Sequence, residues 1–304
     1  MDIAYAHVGD PAATGVFKWD IDPTLVFFTL ILFFYVRSLK HFRGPDSKVK
    51  TWQKIMFFLG IATLILGLLP PIDPLADKLF FMHMVQHLMI TLIGVPLILF
   101  GVPFFVIIRG APLWFRKKVY FPILRSKVWQ GVEFVFGKPL ASLIFFELNF
   151  WFWHIPRYYD LALRNDFFHI LEHGMFAVSA MFLWRNIIDP HPLRSPLPLP
   201  ARLIFMGILM AVDVVLSALL TFSDKVLYAY EGVELPSWWV WGHLEDQKLG
   251  ALIMWVPGGT IYLIATTVIF FVWAHREQKK DAAELAAATR AATLATEPTP
   301  QLSY

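Results

Sequence analysis

Residues 201–222 read ARLIFMGILMAVDVVLSALLTF, and this stretch decides the fold class. An α-helix needs about 20 mainly apolar residues to cross a bilayer, and only Arg202 and Asp213 are charged here. Six further stretches have the same character: 23–40, 52–70, 81–108, 139–156, 167–187 and 247–274. We therefore predict an all-α membrane protein, a bundle of about seven transmembrane helices.

The composition supports a membrane protein and limits its chemistry. Of the 304 residues, 57% are hydrophobic and 16% are charged, and the mean hydropathy is +0.57, which excludes a soluble domain. Because cysteine is absent, a metal site would have to use His, Met, Asp or Glu. The net charge is only +3 and the basic residues lie in loops, so we expect no nucleic-acid partner.

The distribution of basic residues predicts the orientation. Alternate loops and the C-terminal tail carry 20 of the 26 Lys and Arg residues, and such loops face the cytoplasm. The N-terminus is then outside and the C-terminus cytoplasmic. We expect an outer tail over 1–22, a seven-helix membrane domain over 23–276, and a cytoplasmic tail over 277–304 that is disordered or loosely helical. Prolines at positions 96, 103 and 257 predict kinks.

Histidines form the candidate functional site. Two pairs have i,i+4 spacing, which places both side chains on one helix face, and each pair opens a span that enters from the predicted outer side. His154 ends the fourth span on that side. Ionisable groups within spans are costly and are therefore functional candidates. The predicted metal ligands are His83, His87, His154, His169 and His173.

The ligand type favours copper without excluding zinc or iron. Imidazole suits several of these metals, and a thioether adds a preference for Cu(I). Methionines lie near the predicted site, but methionine in a membrane helix is usually filler, so they receive little weight. Four residues are expected either to orient the imidazoles or to add a ligand: Asp246, His243, Glu172 and Met254. For Asp246, capping of its own helix is an equal alternative.

Other polar residues lie deeper in the predicted spans. Glu147, Asn149 and Asp213 are expected to form a structural polar network beneath the site, with a proton route as the weaker interpretation. His169, Glu172 and His173 also match the HxxEH pattern of some zinc peptidases. That match is weak, because no soluble catalytic domain accompanies it, and we predict no catalytic residues.

Several motifs resemble the CtaG family of bacterial seven-helix proteins that assist assembly of cytochrome c oxidase. The similar strings are His83-Met84-Val85-Gln86-His87, Trp153-His154-Ile155-Pro156 with Tyr159-Asp160, Leu171-Glu172-His173, and Asp246-Gln247 with Met254-Trp255-Val256-Pro257-Gly258-Gly259. The resemblance runs from about residue 75 to 275. It implies a location in the bacterial cytoplasmic membrane and a non-enzymatic role in supplying copper to the oxidase, or otherwise maturing its metal centres, on the outer side. Its partners would be oxidase subunits and an extracytoplasmic copper donor.

Two other classes use similar residues. A membrane diiron oxygenase also carries HxxxH boxes, although its histidines face the cytoplasm and include adjacent pairs. A b-type cytochrome holds haem between histidines of two helices, usually one from each. The sequence favours a copper-binding assembly factor over both.

Overall fold

The computed structural model describes residues 23–41, 49–190, 195–230 and 232–296, and the expected outer tail over 1–22 lies outside them. All regular structure in these ranges is helical. The helices are α1 (Pro23–His41), α2 (Thr51–Leu68), α3 (Ile72–Ala76), α4 (Phe80–Phe100), α5 (Pro103–Gly110), α6 (113–125), α7 (Lys127–Phe136), α8 (Pro139–Trp153), α9 (Pro156–Arg164), α10 (Asp166–Ile188), α11 (Leu199–Thr221) and α12 (243–296).

Within the described ranges, five helices are long and apolar enough to cross a membrane, namely α2, α4, α10, α11 and α12. The predicted all-helical fold is therefore confirmed, with these five helices as candidate spans. Helices α1 and α8 coincide with the first and fourth predicted spans but are not among the five. With 15 residues, α8 is about 22 Å long, which is less than the thickness of a bilayer core. The count of seven spans and the orientation stay predictions.

The prolines change the helices in different ways. The predicted span 81–108 divides into α4 and α5, because Val102 adopts a left-handed backbone conformation with φ 54° just before Pro103. Pro96 instead follows a π-helical turn over Met89–Gly94 within α4. This turn leaves the Thr91 carbonyl free to accept a hydrogen bond of 2.9 Å from the Trp184 indole. A second π-helical turn, Met254–Gly258, surrounds Pro257 in α12.

The C-terminal tail was expected to be disordered or loosely helical, and its described part is helical. Helix α12 continues without a break to residue 296, so the disorder expected beyond 277 does not apply to 277–296. Alanine, the strongest helix former, supplies eight of the residues from 277 to 296. The side chains described there are exposed. The tail is therefore a helix that extends beyond the packed bundle.

Arginines bind the ends of helices at the end of the bundle opposite the histidines. Arg185, near the end of α10, makes a two-pronged ion pair with Glu133 of α7, at 2.5 and 2.8 Å. Arg202 is buried, and it donates to the Ile187 carbonyl and to Asp189 at 2.7 Å each. The Arg202 contact satisfies the Ile187 carbonyl, which the end of α10 leaves without a helical partner. The basic residues thus have structural partners at the predicted cytoplasmic end.

Candidate metal centre

Three helices bring the five predicted ligands together at one end of the bundle. The histidine pairs lie one turn apart on α4 and α10, and His154 is the residue that follows α8. All five imidazoles are buried, and none is more than 8% exposed. Residues separated by up to 90 positions in the chain thus share one interior space.

The imidazole rings of the two pairs are in direct contact. The Nε2 atoms of His83 and His87 are 2.9 Å apart. The ring of His83 lies 5.4 Å from that of His169 and 5.7 Å from that of His173, measured between centroids. His87 lies 5.4 Å from His173 by the same measure. The two helical pairs therefore face each other across a single centre.

Among the residues that the structure describes, Glu172 contributes the one carboxylate of this centre. Its side chain is fully buried, and its two oxygens lie 3.4 Å from His83 Nε2 and 3.5 Å from His87 Nε2. Ligand atoms of His83, His169, Glu172 and His173 all lie within 4.8 Å of one another. The sequence predicted Glu172 only as an orienting residue or added ligand. The structure places it at the middle of the cluster.

The distances are compatible with a bound cation. With metal–nitrogen bonds of about 2.0–2.1 Å, the 2.9 Å between the two Nε2 atoms corresponds to a nitrogen–metal–nitrogen angle near 90°. A tetrahedral ion would need them about 0.4 Å further apart. The Glu172 carboxylate would offset part of the charge of an ion held between nitrogens that are otherwise neutral.

His154 lies at the edge of the cluster and faces a sulfur atom. Its Nδ1 donates to the Phe150 carbonyl at 2.7 Å, since a carbonyl can only accept. Its Nε2 lies 3.5 Å from Sδ of Met84, and its ring centroid is 6.1 Å from that of His87. His154 is thus the predicted ligand least involved with the other four, and Met84 received little weight in the sequence.

Asp246 neither contacts an imidazole nor caps its own helix. Its oxygens accept hydrogen bonds from the backbone N–H groups of Phe80, at 2.7 Å, and Phe81, at 3.1 Å. Asp246 therefore caps the start of α4, the helix that carries His83 and His87. Gly250, one turn later, makes this approach possible, because a Cβ there would lie 2.4 Å from the Phe80 ring. The expected cap of its own helix is corrected by this tertiary contact, and the expected role of Asp246 toward a metal stays a prediction.

The other two residues expected to assist the ligands are not part of the cluster. His243 begins α12, and among the described residues no hydrogen bond, ion pair or ring contact joins it to the five imidazoles. Met254 is buried in the apolar cluster that also contains Phe80 and Met84, within the π-helical turn of α12. Met254 is therefore a packing residue. Among the described residues, neither His243 nor Met254 has a contact that would orient an imidazole.

A segment between α11 and α12 covers the histidine end of the bundle. We call residues 222–230 the strap. The Tyr228 hydroxyl donates to the His154 carbonyl at 3.0 Å, and the Ala229 N–H donates to Asp160 at 2.8 Å. Gln247 holds the Leu227 N–H at 2.7 Å and the Lys225 carbonyl at 3.1 Å. The strap is thereby fastened to α9, to α12 and to the residue after α8.

Tyrosines join the strap to the cluster. Tyr230 donates to the Ala76 carbonyl at 2.9 Å, so the hydrogen in its 2.9 Å contact with Tyr159 must come from Tyr159. The Tyr159 ring lies 5.1 Å from that of His83. Burial raises the pKa of both Tyr228 and Tyr230 well above the usual value, so both hydroxyls stay protonated and can donate.

The polar residues expected beneath the site lie in two groups. Asn149 accepts from the Trp153 indole at 3.1 Å and donates to Ser179 at 3.3 Å, which ties α8 to α10. Glu147 and Asp213 lie beside each other, and Asp213 also contacts the Tyr262 hydroxyl. The first group is structural. The proton route considered for these residues stays untested.

A known protein family matches most of this chain. The family described as cytochrome c oxidase caa3 assembly factor (Caa3_CtaG) matches residues 32–276, which is most of the chain and includes every residue of the cluster. The chain belongs to this family. The resemblance found in the sequence motifs is thereby confirmed. Membership in Caa3_CtaG does not identify a bound metal.

Curated relatives of this Caa3_CtaG protein add little about function. The chain is 23% identical over 256 residues to an uncharacterized protein of Mycobacterium bovis and equally to one of Mycobacterium tuberculosis. The match covers 81% of this chain but only 37% of the length of each relative. No solved structure matches the chain significantly.

Proposed function

We propose that this protein is a non-catalytic assembly factor that holds copper at the outer face of the bacterial cytoplasmic membrane and passes it to a cytochrome c oxidase subunit. Membership in the caa3 assembly factor family supports the oxidase as partner. An extracytoplasmic donor would load the site. The observation that carries the copper proposal is the buried cluster in which four residues place ligand atoms within 4.8 Å of one another.

The hydrogen bonding of the imidazoles favours an ion that is bound transiently and then transferred. Histidines in permanent metal sites usually donate their second ring N–H to a carboxylate, carbonyl or water, which fixes the ring. The Nδ1 atoms of His83 and His87 are buried and have no hydrogen-bond partner among the described residues. Rings without this second anchor can turn more freely, which suits a ligand that must release its metal.

Metal analysis of the purified protein tests the proposal. We expect copper in the wild type and a clearly lower copper content in the double variant His83→Ala, His87→Ala, because both rings facing Glu172 are then lost. The matched control is His243→Ala, which removes a histidine at the same end of the bundle but outside the cluster. Equal copper in the wild type and the double variant would contradict the proposal.

A non-haem iron enzyme is the second candidate, and Glu172 is the observation that favours it. Two histidines and one carboxylate form the typical ligand set of non-haem Fe(II) oxygenases. The same elemental analysis separates the candidates, since iron in place of copper would favour the oxygenase. A b-type haem has less support, because its ring would have to separate imidazoles that now touch, and an absorption spectrum without a Soret band would exclude it.

A further inference from the structure

We propose that the centre has two chemically different ends, and that Met84 and His154 form a separate Cu(I) subsite at its soft end. This inference rests on the proposed function and names the oxidation state that one part of the site accepts. The other end, with Glu172 and three histidines, offers nitrogen and oxygen ligands only. His87 lies between the two ends, in contact with His83 and 6.1 Å from the ring of His154.

The lone pair of His154 Nε2 faces the sulfur of Met84. Because Nδ1 donates to the Phe150 carbonyl, the neutral ring has no hydrogen on Nε2. The Met84 sulfur also has no hydrogen to give. Two buried acceptors therefore face each other at 3.5 Å and cannot form a hydrogen bond between them. A cation placed between them would satisfy both.

The distance between His154 Nε2 and Met84 Sδ fits a metal ion bound by both atoms. A three- or four-coordinate metal bonded to nitrogen at about 2.0 Å and to sulfur at about 2.3 Å, with an angle near 110°, separates the two atoms by about 3.5 Å. The observed separation of 3.5 Å equals this value without any movement of the side chains. Imidazole together with thioether is a ligand set that favours Cu(I) over harder cations.

The rest of the protein fixes both His154 and Met84 in place. The backbone carbonyl of His154 accepts from Tyr228 of the strap, and its ring is held by Phe150. Met84 is fully buried and lies next to His83 on α4, the helix that Asp246 caps. Methionine is usually a flexible packing residue, but here its sulfur is aimed at a fixed lone pair.

The test compares Met84→Leu with Met206→Leu. Leucine nearly conserves the volume of methionine, so both variants should fold, and Met206 is an equally buried methionine in a different apolar cluster. Cu(I) affinity would be measured by competition with a chromophoric chelator, and sulfur ligation by X-ray absorption at the copper edge. Co(II) absorption would report on the nitrogen and oxygen end.

We expect sulfur scattering at about 2.3 Å in the wild type and in Met206→Leu, and its loss in Met84→Leu. Cu(I) affinity should fall by roughly tenfold or more in Met84→Leu, whereas Co(II) affinity should not change. Copper bound by nitrogen alone in the wild type, with no effect of Met84→Leu, would overturn the subsite and leave the proposed function standing. Equal weakening of Co(II) and Cu(I) would assign Met84 to packing and also overturn it. A wild type that binds no copper would refute the proposed function itself.

Discussion

Glu172 is the residue on which the charge of the cluster depends. It is fully buried and lies within 3.5 Å of two imidazole nitrogens, and no other acidic residue belongs to the group of ligand atoms found in the described chain. Replacing Glu172 by glutamine keeps the shape and removes the negative charge. A divalent ion would then be held by neutral ligands alone.

We therefore expect Glu172→Gln to bind Co(II) or Cu(II) about 10–100-fold more weakly than the wild type. Titration of the purified protein, followed by Co(II) absorption, measures this change. Glu245→Gln, an exposed glutamate near the start of α12, is the control. An unchanged Co(II) affinity in Glu172→Gln would show that the carboxylate takes no part in binding.

At the level of single residues, the sequence predicted positions that depend on helical spacing. The i,i+4 pairs of α4 and α10 face one centre, as their spacing requires. The direction of Met84 could not be predicted, because it depends on where α8 packs beside α4. Glu172 was undervalued for a similar reason: its place between two rings of another helix has no counterpart in local sequence.

At the level of helices, Asp246 couples α12 to the position of the histidines. It accepts the first two N–H groups of α4, and Leu79, which precedes that helix, makes no side-chain cap of its own. Loss of such a cap typically costs about 1 kcal/mol, and 0.5–2 kcal/mol is the usual range.

Asp246→Ala should accordingly lower the free energy of unfolding by about 1 kcal/mol or more, since two buried N–H groups lose their acceptor. Thermal unfolding in detergent, followed by circular dichroism, detects the change. Asp224→Ala removes an exposed carboxylate of the strap and serves as the reference. Equal melting temperatures for the two variants would contradict a capping role.

Hydropathy located the helices better than it located their ends. All seven predicted apolar stretches coincide with helices, because long apolar runs have few other solutions in a membrane. The division at Val102 and the π-helical turns escaped prediction, since they depend on contacts such as that between Trp184 and Thr91. The cap that Asp246 provides to α4 joins residues 166 positions apart and was equally inaccessible.

At the level of the whole molecule, the orientation in the membrane can be tested directly. The chain has no cysteine, so each introduced thiol is the only one present. Asp224 is exposed on the strap at the histidine end, and Lys127 is exposed at the start of α7. The charge bias predicts that these residues lie on opposite sides of the membrane.

A membrane-impermeant thiol reagent should label Asp224→Cys in intact cells, and Lys127→Cys only after the cells are broken. The reverse pattern would place the histidines at the cytoplasmic face. It would also contradict delivery of copper to an outer site of the oxidase.

The strap has a consequence for timing as well as for geometry. Tyr228, Ala229 and Leu227 are each held by a hydrogen bond, and the imidazoles beneath are almost completely shielded from water. Under the proposed function, a bound ion would dissociate only during the brief intervals when the hydrogen bonds of the strap are broken. The residence time of the ion would then depend on how often the strap opens rather than on the strength of the metal–ligand bonds. A recipient protein that displaces the strap would determine when the ion is transferred.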